Sequence, residues 1–362
     1  MRGLLRVVAA NRLAFLLLAA PVSWWLRLAQ PGSPWVFITA AVSLVPLAGI
    51  IGQATEELAT HSGPALGGFL NATFGNASEL IISVVAVNRG HVELVKASIT
   101  GSIIGNLLLV LGLSFFLGGL GRPSQRFNRT AATNATAMLF LAVVALVMPA
   151  VFDLVQFGSL AARPPALDAL SVLSAIVLIC AYCAGLVYAF TVQRDLFRSA
   201  AHGEPRALPT GQSVALLGAA TVLTAVEAEL LVGALEPALA DFGLTELFVG
   251  IVIVALVGNA AEHYSAIASA RRDRMTLAVE ISVGSSAQIA LLVAPAVVLY
   301  SFAIGQPMTL LFNGFEIAAI ALSVLATALV VVDGESNWVE GMQLVAVYVI
   351  LGIAFYFVPA GG

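Results

Sequence analysis

Apolar residues come in runs of about 20 along this chain, separated by short polar stretches, from near residue 13 to near residue 358. A run of about that length crosses the hydrocarbon core of a bilayer as an α-helix. The pattern predicts eleven spans, near 13–29, 34–55, 65–88, 92–119, 130–152, 168–192, 211–237, 245–270, 276–302, 309–332 and 339–358. An odd number of crossings puts the two termini on opposite sides. The fold class that follows is an all-α polytopic membrane protein.

Composition points the same way. Of 362 residues, 60% are hydrophobic and only 10% charged, where a soluble domain carries about 25% charged residues. The N-terminus has a basic start and an apolar body, like a secretory signal. However, Trp24, Trp25 and Arg27 stand where a cleavage site should be. Aromatic and basic residues suit an interface anchor, so the segment reads as a retained helix 1. Cys180 and Cys183 form a C-x-x-C inside an apolar run with no redox context around it, and read as small lipid-embedded residues.

The arginines and the single lysine test the span count. With the N-terminus inside, the inner segments hold Arg2, Arg6, Arg12, Arg122, Arg126, Arg129, Arg194, Arg198, Arg206, Arg271, Arg272 and Arg274. The outer segments hold only Arg27, Arg89, Lys96 and Arg163. Basic residues favour cytoplasmic loops, and a missed helix in the middle would break this alternation. The N-terminus is therefore expected in the cytoplasm.

A repeat is written across the two halves. GNASE at 75–79 returns as GNAAE at 258–262, an offset of 183 residues. The same offset carries Arg89 to Arg272, Gly101-Ser102 to Gly284-Ser285, and Leu108-Leu109-Val110 to Leu291-Leu292-Val293. Five spans separate the two copies, so their orientations are opposite. The expected organisation is helix 1 (1–32), a five-helix repeat (33–193), a cytoplasmic linker (194–210) and an inverted five-helix repeat (211–362). Inverted repeats with a polar break at matching places point to a secondary transporter, with its site near the bilayer midplane.

The break supplies the chemistry. A carboxylate at the centre of a membrane helix costs about 2.5–3.5 kcal/mol on insertion scales, and such residues are functional by default. Glu79 and Glu262 are symmetry mates, and Asn76 and Asn259 lie three residues before them on the same helical face. Carboxylate and amide oxygens are the hard ligands that Ca²⁺ takes. Two carboxylates balance a divalent cation, and they take up protons when it leaves, because burial and mutual repulsion favour the neutral form. No Lys or Arg sits on a span away from its ends to pair with them, apart from Lys96 close to one.

Further polar residues lie nearby in the sequence. Asn106, Gln288, Ser102 and Ser285 fit either completion and gating of the site or the small-and-polar packing of membrane helices. His263 neighbours Glu262 but points about 100° away around the helix, as a proton acceptor or a hydrogen-bonded packing residue. Glu56 and Glu57 end span 2, and Glu227 and Glu229 lie in span 7, as ion-access or charge-relay acids or simply exposed ones. Snorkelling to an interface accounts for Glu280 and Glu316, and DGES at 333–336 reads as a solvated inner loop.

These motifs resemble the two signatures of the cation/proton exchanger family, the Ca²⁺/H⁺ antiporters of the cation/Ca²⁺ exchanger superfamily. The first is GNASELIISVVAVNRG…ASITGSIIGNLLLVLG, the second GNAAEHYSAIASARRDRMTLAVEISVGSSAQIALLVAP, and ATEEL at 54–58 and the ending YVILGIAFYFVP also fit. The resemblance implies Ca²⁺ export against inward proton flow, with Glu79 and Glu262 central and Asn76, Asn259, Asn106 and Gln288 beside them. It matches Glu56 and Glu229 to the family's outer acids. The link at 194–209 is mildly basic where the family often carries an acidic stretch.

The expected activity is thus Ca²⁺/H⁺ antiport by alternating access, with exchange of Ca²⁺ for Na⁺, or transport of Mn²⁺ or Na⁺, as the alternative on the same fold. The partners are Ca²⁺ and H⁺ as transported substrates and the lipid bilayer, and a homo-oligomer is compatible with the sequence. No cofactor is called for. Mutually exclusive ligands at one site argue against a passive channel. The absence of H-E-x-x-H and G-x-S-x-G argues against an intramembrane enzyme. A net charge of −4 with basic residues spread over loops argues against nucleic-acid binding. The compact Ala- and Arg-rich chain suggests a bacterial plasma membrane.

Overall fold

The computed structural model describes residues 13–157, 165–191 and 208–359. Most of the expected linker, and with it Arg194, Arg198 and Arg206, lies outside the described residues, as do Arg2, Arg6, Arg12 and Arg163. The chain folds into helices with one two-residue strand pairing. In order they are α1 (Ala14–Ala29), α2 (Trp35–Phe74), α3 (Ala77–Asn88), α4 (Val92–Gly119), β1 (Gln125–Arg126), α5 (Arg129–Phe157) and α6 (Pro165–Thr191). The second half gives α7 (Thr210–Gly233), α8 (Leu235–Phe242), α9 (Glu246–Gly258), α10 (Ala260–Arg271) and α11 (Met275–Ala303). It ends with α12 (Gly314–Val331), β2 (Glu335–Ser336) and α13 (Trp338–Phe357).

Among the described residues, eight helices are long and apolar enough to cross a membrane, or nine if α8 and α9, bent by 110°, count as one crossing. The sequence places a break between spans 2 and 3 at 56–64. Instead α2 runs unbroken for 40 residues, about 60 Å at 1.5 Å per residue. Five of the seven residues of the polar stretch ATEELAT are Ala, Glu or Leu, which hold a helix well, so polarity ends the apolar stretch without ending the helix. The interruptions fall at Gly75-Asn76 and at Asn259, inside the two signatures. They cut spans 3 and 8 into pieces too short to be counted alone. Span 10 begins at Gly314 because Asn313 and Glu316 form a reciprocal capping box there.

The helices gather into two compact units, and each unit draws on both halves of the sequence. The first holds residues up to Arg89, then 181–243 and 257–261. Its core is Ile50, Ile51 and Ala54 of α2, Ala77 of α3, and Leu216, Leu217 and Ala220 of α7. Helix α1 is pinned to it by the buried Glu227 of α7. The Glu227 carboxylate accepts from Ser23 Oγ at 2.9 Å, Trp24 Nε1 at 2.6 Å and Ser43 Oγ at 2.8 Å. Glu227 is therefore an anchor for helix 1.

The second unit holds 90–180, 244–256 and 262 onward. Its most buried spans are α4 (83%) and α11 (72%), while α13 (17%) and α6 (22%) show most of their surface outward. Helices α4 and α11 are the same stretch of the repeat. Each contains a π-helical segment, Gly105–Val110 in α4 and Ile289–Val293 in α11, and α9 has a third at Val249–Val254. Helices α4 and α9 meet backbone to backbone: a Cβ on Gly101 would overlap the Ile251 main chain, and one on Gly250 would overlap Ala97.

The ends of this unit bear on the topology. β1 pairs antiparallel with β2 in the register Gln125↔Ser336 and Arg126↔Glu335. Gln125 Nε2 donates to Ala270 O at 3.2 Å and to Asp273 Oδ1 at 2.7 Å. Three loops assigned inside thus meet, and DGES is a pairing strand rather than a merely solvated loop. At the other end Gly90, Gln306 and Pro307, of loops assigned outside, and Val92, Glu93 and Glu246, at the ends of the adjoining spans, line one cleft of about 340 Å³. Lys96 is buried and pairs with Glu93 at 3.2 Å. Glu316 does not snorkel. It is fully buried, capping α12 and accepting from Thr100 Oγ1 at 3.1 Å.

Candidate cation site

Both signatures do the same thing to the backbone. Gly-Asn interrupts a helix, and the acid three residues later falls in the first turn of the next one: Glu79 in α3, Glu262 in α10. The positive end of a helix dipole favours a carboxylate there. In the broken helices of transporters, the carbonyls at the end of the first piece are the groups turned toward cations.

In the first unit, Asn76 is 1% exposed and serves as the N-cap residue of α3. Glu79 is 6% exposed, and its Oε2 has no hydrogen-bond partner among the described residues. Its carboxyl group lies against Gly258, the glycine of the other signature. A Cβ built on Gly258 would stand 3.2 Å from Glu79 Oε1 and 3.4 Å from Cδ. Asn259 is buried in the break itself. The fold thus brings the first signature's acid to the second signature's glycine. Glu262 follows four residues along the chain, half-buried.

In the second unit, three of the expected polar residues form a chain. His263 Nε2 meets Asn106 Oδ1 at 3.2 Å, and Asn106 Nδ2 donates to Ser285 Oγ at 3.2 Å. An amide oxygen only accepts, so His263 donates here with Nε2 protonated. Asn106 lies in the α4 π-segment, and a π-turn opens the backbone at functional positions in many helices. Ser102 is buried, and Gln288 is half-buried at the edge of the α11 π-segment.

The outer acids behave differently from one another. Glu56 is exposed and Glu57 half-buried, with Leu208 N approaching Glu57 Oε2 at 3.4 Å. Glu229 is ion-paired with Arg89, whose Nε donates to Oε1 at 3.1 Å and whose Nη2 donates to the same oxygen. That hydrogen bond holds the guanidinium above even its ordinary range. Cys180 and Cys183 are free and exposed on α6. The structure adds Gln53 and Thr224, whose side-chain oxygens are buried with no partner among the described residues. Gln53 lies four residues before Glu57 and shares its helical face, which is the signal that would have flagged it. Among the described residues, no three His, Cys, Asp or Glu side chains gather into a metal cluster. A cation held here needs amide, hydroxyl or carbonyl oxygens beside its carboxylates.

Comparison with known families decides the affiliation. The family model described as sodium/calcium exchanger protein matches residues 32–191 and 212–357. The chain belongs to the sodium/calcium exchanger family. Within it, this exchanger is 42% identical to a Ca²⁺/H⁺ antiporter of Synechocystis sp. over 95% of its own length and 96% of the relative's. It is 42% identical to the Ca²⁺/H⁺ antiporter ChaA of Bacillus subtilis, over 96% and 99%. The solved structure of YfkE superposes with a TM-score of 0.81 at 39% identity, covering 98% of this exchanger and 99% of that chain. The resemblance carried by the two signatures is borne out, and so is the helical multi-pass membrane fold.

Proposed function

We propose that the chain is a secondary antiporter that exchanges Ca²⁺ for H⁺ across a bacterial plasma membrane. It crosses eleven times, as helix 1 plus the inverted repeats 33–193 and 211–362, with a cytoplasmic N-terminus. Glu79 and Glu262 bind Ca²⁺ when both are ionised, with amide oxygens from Asn76 and Asn259. Protonation neutralises the pair and releases the cation on the opposite side. Because either ligand excludes the other, the exchange is coupled. Asn106, Gln288, Ser102, Ser285 and His263 shape and gate the site, and Glu56 and Glu229 stand on the paths to it.

The observation that carries this reading is the buried Glu79 carboxyl beside Gly258, with one oxygen lacking a partner among the described residues. Burying a carboxylate without compensation is costly, and a proton or a cation supplies what the protein does not. Relatives named Ca²⁺/H⁺ antiporter at 42% identity over nearly the whole of both chains support the choice of ions.

The test uses purified protein in vesicles with an imposed pH gradient, following Ca²⁺ uptake for wild type, Glu79→Gln and Glu262→Gln against Na⁺, Mn²⁺ and Mg²⁺. Uptake driven by the pH gradient and lost in both variants is the expected result. Uptake that responds only to a Na⁺ gradient overturns the proton coupling. A variant with normal coupled transport overturns the paired site.

A further inference from the structure

Arg89 closes α3 at the end opposite Glu79, and Gly90 turns the chain there with φ +81°. Its guanidinium lies on α7, both Nε and Nη2 on Glu229 Oε1. Gly233, one turn beyond Glu229, makes the bed: a Cβ there would stand 3.3 Å from Arg89 Nη1. The side chains are 38% and 53% exposed, so ions in solution reach the pair. A half-exposed pair of this kind is weak and exchanges readily.

We propose that Arg89 is a tethered competitor of the transported cation at Glu229. Its guanidinium occupies the carboxylate in the resting protein, and a Ca²⁺ passing between Glu79 and the outer side must displace it to use Glu229 as a stepping point. Glu229 is then not an open cation collector but an acid whose charge is already balanced. Its attraction for cations is limited by a fixed positive charge at its side. A divalent cation with hard oxygen preference displaces a guanidinium from a carboxylate where a monovalent ion at the same concentration does not. The exchange filters for charge on the outer path. Displacement also frees the Arg89 end of the helix that carries Glu79.

This rests on the antiport reading, and the test separates the two. Ca²⁺ uptake driven by a pH gradient is measured in right-side-out vesicles, which present Ca²⁺ to the Arg89 side, for wild type, Arg89→Gln, Arg89→Lys, Glu229→Gln and the double variant Arg89→Gln/Glu229→Gln. Arg89→Gln is expected to lower the KM for Ca²⁺ about two- to fivefold at low salt, the range of an exposed ion pair. The gain should shrink in about 1 M choline chloride, where screening acts within about 3 Å. Arg89→Lys should lie near wild type, Glu229→Gln should raise KM, and removing Arg89 in the Glu229→Gln background should change nothing further. An unchanged KM in Arg89→Gln overturns the proposal while leaving antiport intact. So does a gain that persists without Glu229, or one indifferent to salt. Wild type that takes up no Ca²⁺ under the pH gradient overturns both.

Discussion

The Glu79 carboxyl group rests on the bare Cα of Gly258, where an added Cβ would stand 3.2 Å from Oε1 and 3.3 Å from Cγ. Gly258 has ordinary helical geometry at the end of α9 and no positive φ. An alanine there suits the local backbone better than glycine does. Any loss in Gly258→Ala must therefore come through Glu79. We expect the added methyl to push the Glu79 carboxyl aside, read as a higher KM for Ca²⁺ with normal expression and thermal stability. A Gly258→Ala protein that transports with wild-type KM would remove Glu79 from its place beside that glycine.

Ca²⁺ binding at two carboxylates is linked to proton release. The ionised forms bind the metal, so at fixed free Ca²⁺ apparent affinity falls as pH falls through the range where the pair titrates. The slope reaches about a hundredfold per pH unit where two protons leave per ion, and about tenfold in Glu79→Gln, where one remains. Calorimetric titration of Ca²⁺ at several pH values reads it directly. A slope unchanged by Glu79→Gln would mean that the released protons come from other groups.

Glu227 is an acid of α7 like Glu229, but its partners assign it to α1. Glu227→Gln places an NH₂ group among Ser23, Ser43 and Trp24, which donate to the present carboxylate. The buried mismatch should cost about 1–3 kcal/mol, seen as an earlier thermal transition in detergent with KM for Ca²⁺ unchanged. Lost transport at unchanged stability would move Glu227 onto the ion path.

At the β1–β2 end two neighbouring residues should differ sharply. The Arg126–Glu335 pair is 85% and 43% exposed, so Arg126→Ala should alter stability by no more than about 1 kcal/mol. Gln125 is 3% exposed and binds Ala270 O and Asp273. Gln125→Ala removes both hydrogen bonds and empties a buried position, and should cost about 1–3 kcal/mol. Equal effects in a thermal shift assay would contradict the bracing role of Gln125.

The signatures and their offset were legible because each is a pattern of residue types. Glu79, Asn76 and Asn259 are buried as their polarity in an apolar run requires. What stayed hidden depended on partners distant in sequence. Nothing in the run around Glu227 names Ser23 and Trp24, about 200 residues earlier, and nothing in DGES names Gln125. The break expected at 56–64 failed for a local reason, since charge is not a helix breaker and Gly-Asn is. The π-segments were invisible because Leu108-Leu109-Val110 and Leu291-Leu292-Val293 read equally well as α-helix.

A π-turn is an α-turn with one residue too many. In α4 and α11 the surplus falls at the same place in the repeat, so it predates the separation of the two copies or was gained twice. One residue is about 100° of rotation about the helix axis. Deleting the surplus residue from 105–110 would leave a regular helix with Leu111 to Gly119 on the face they have now, whereas the same deletion in a regular α-helix would swing them by that angle. Insertions and deletions, usually tolerated only in loops, are thus written into the most buried helices of this protein. Alignments across exchangers should admit a gap there.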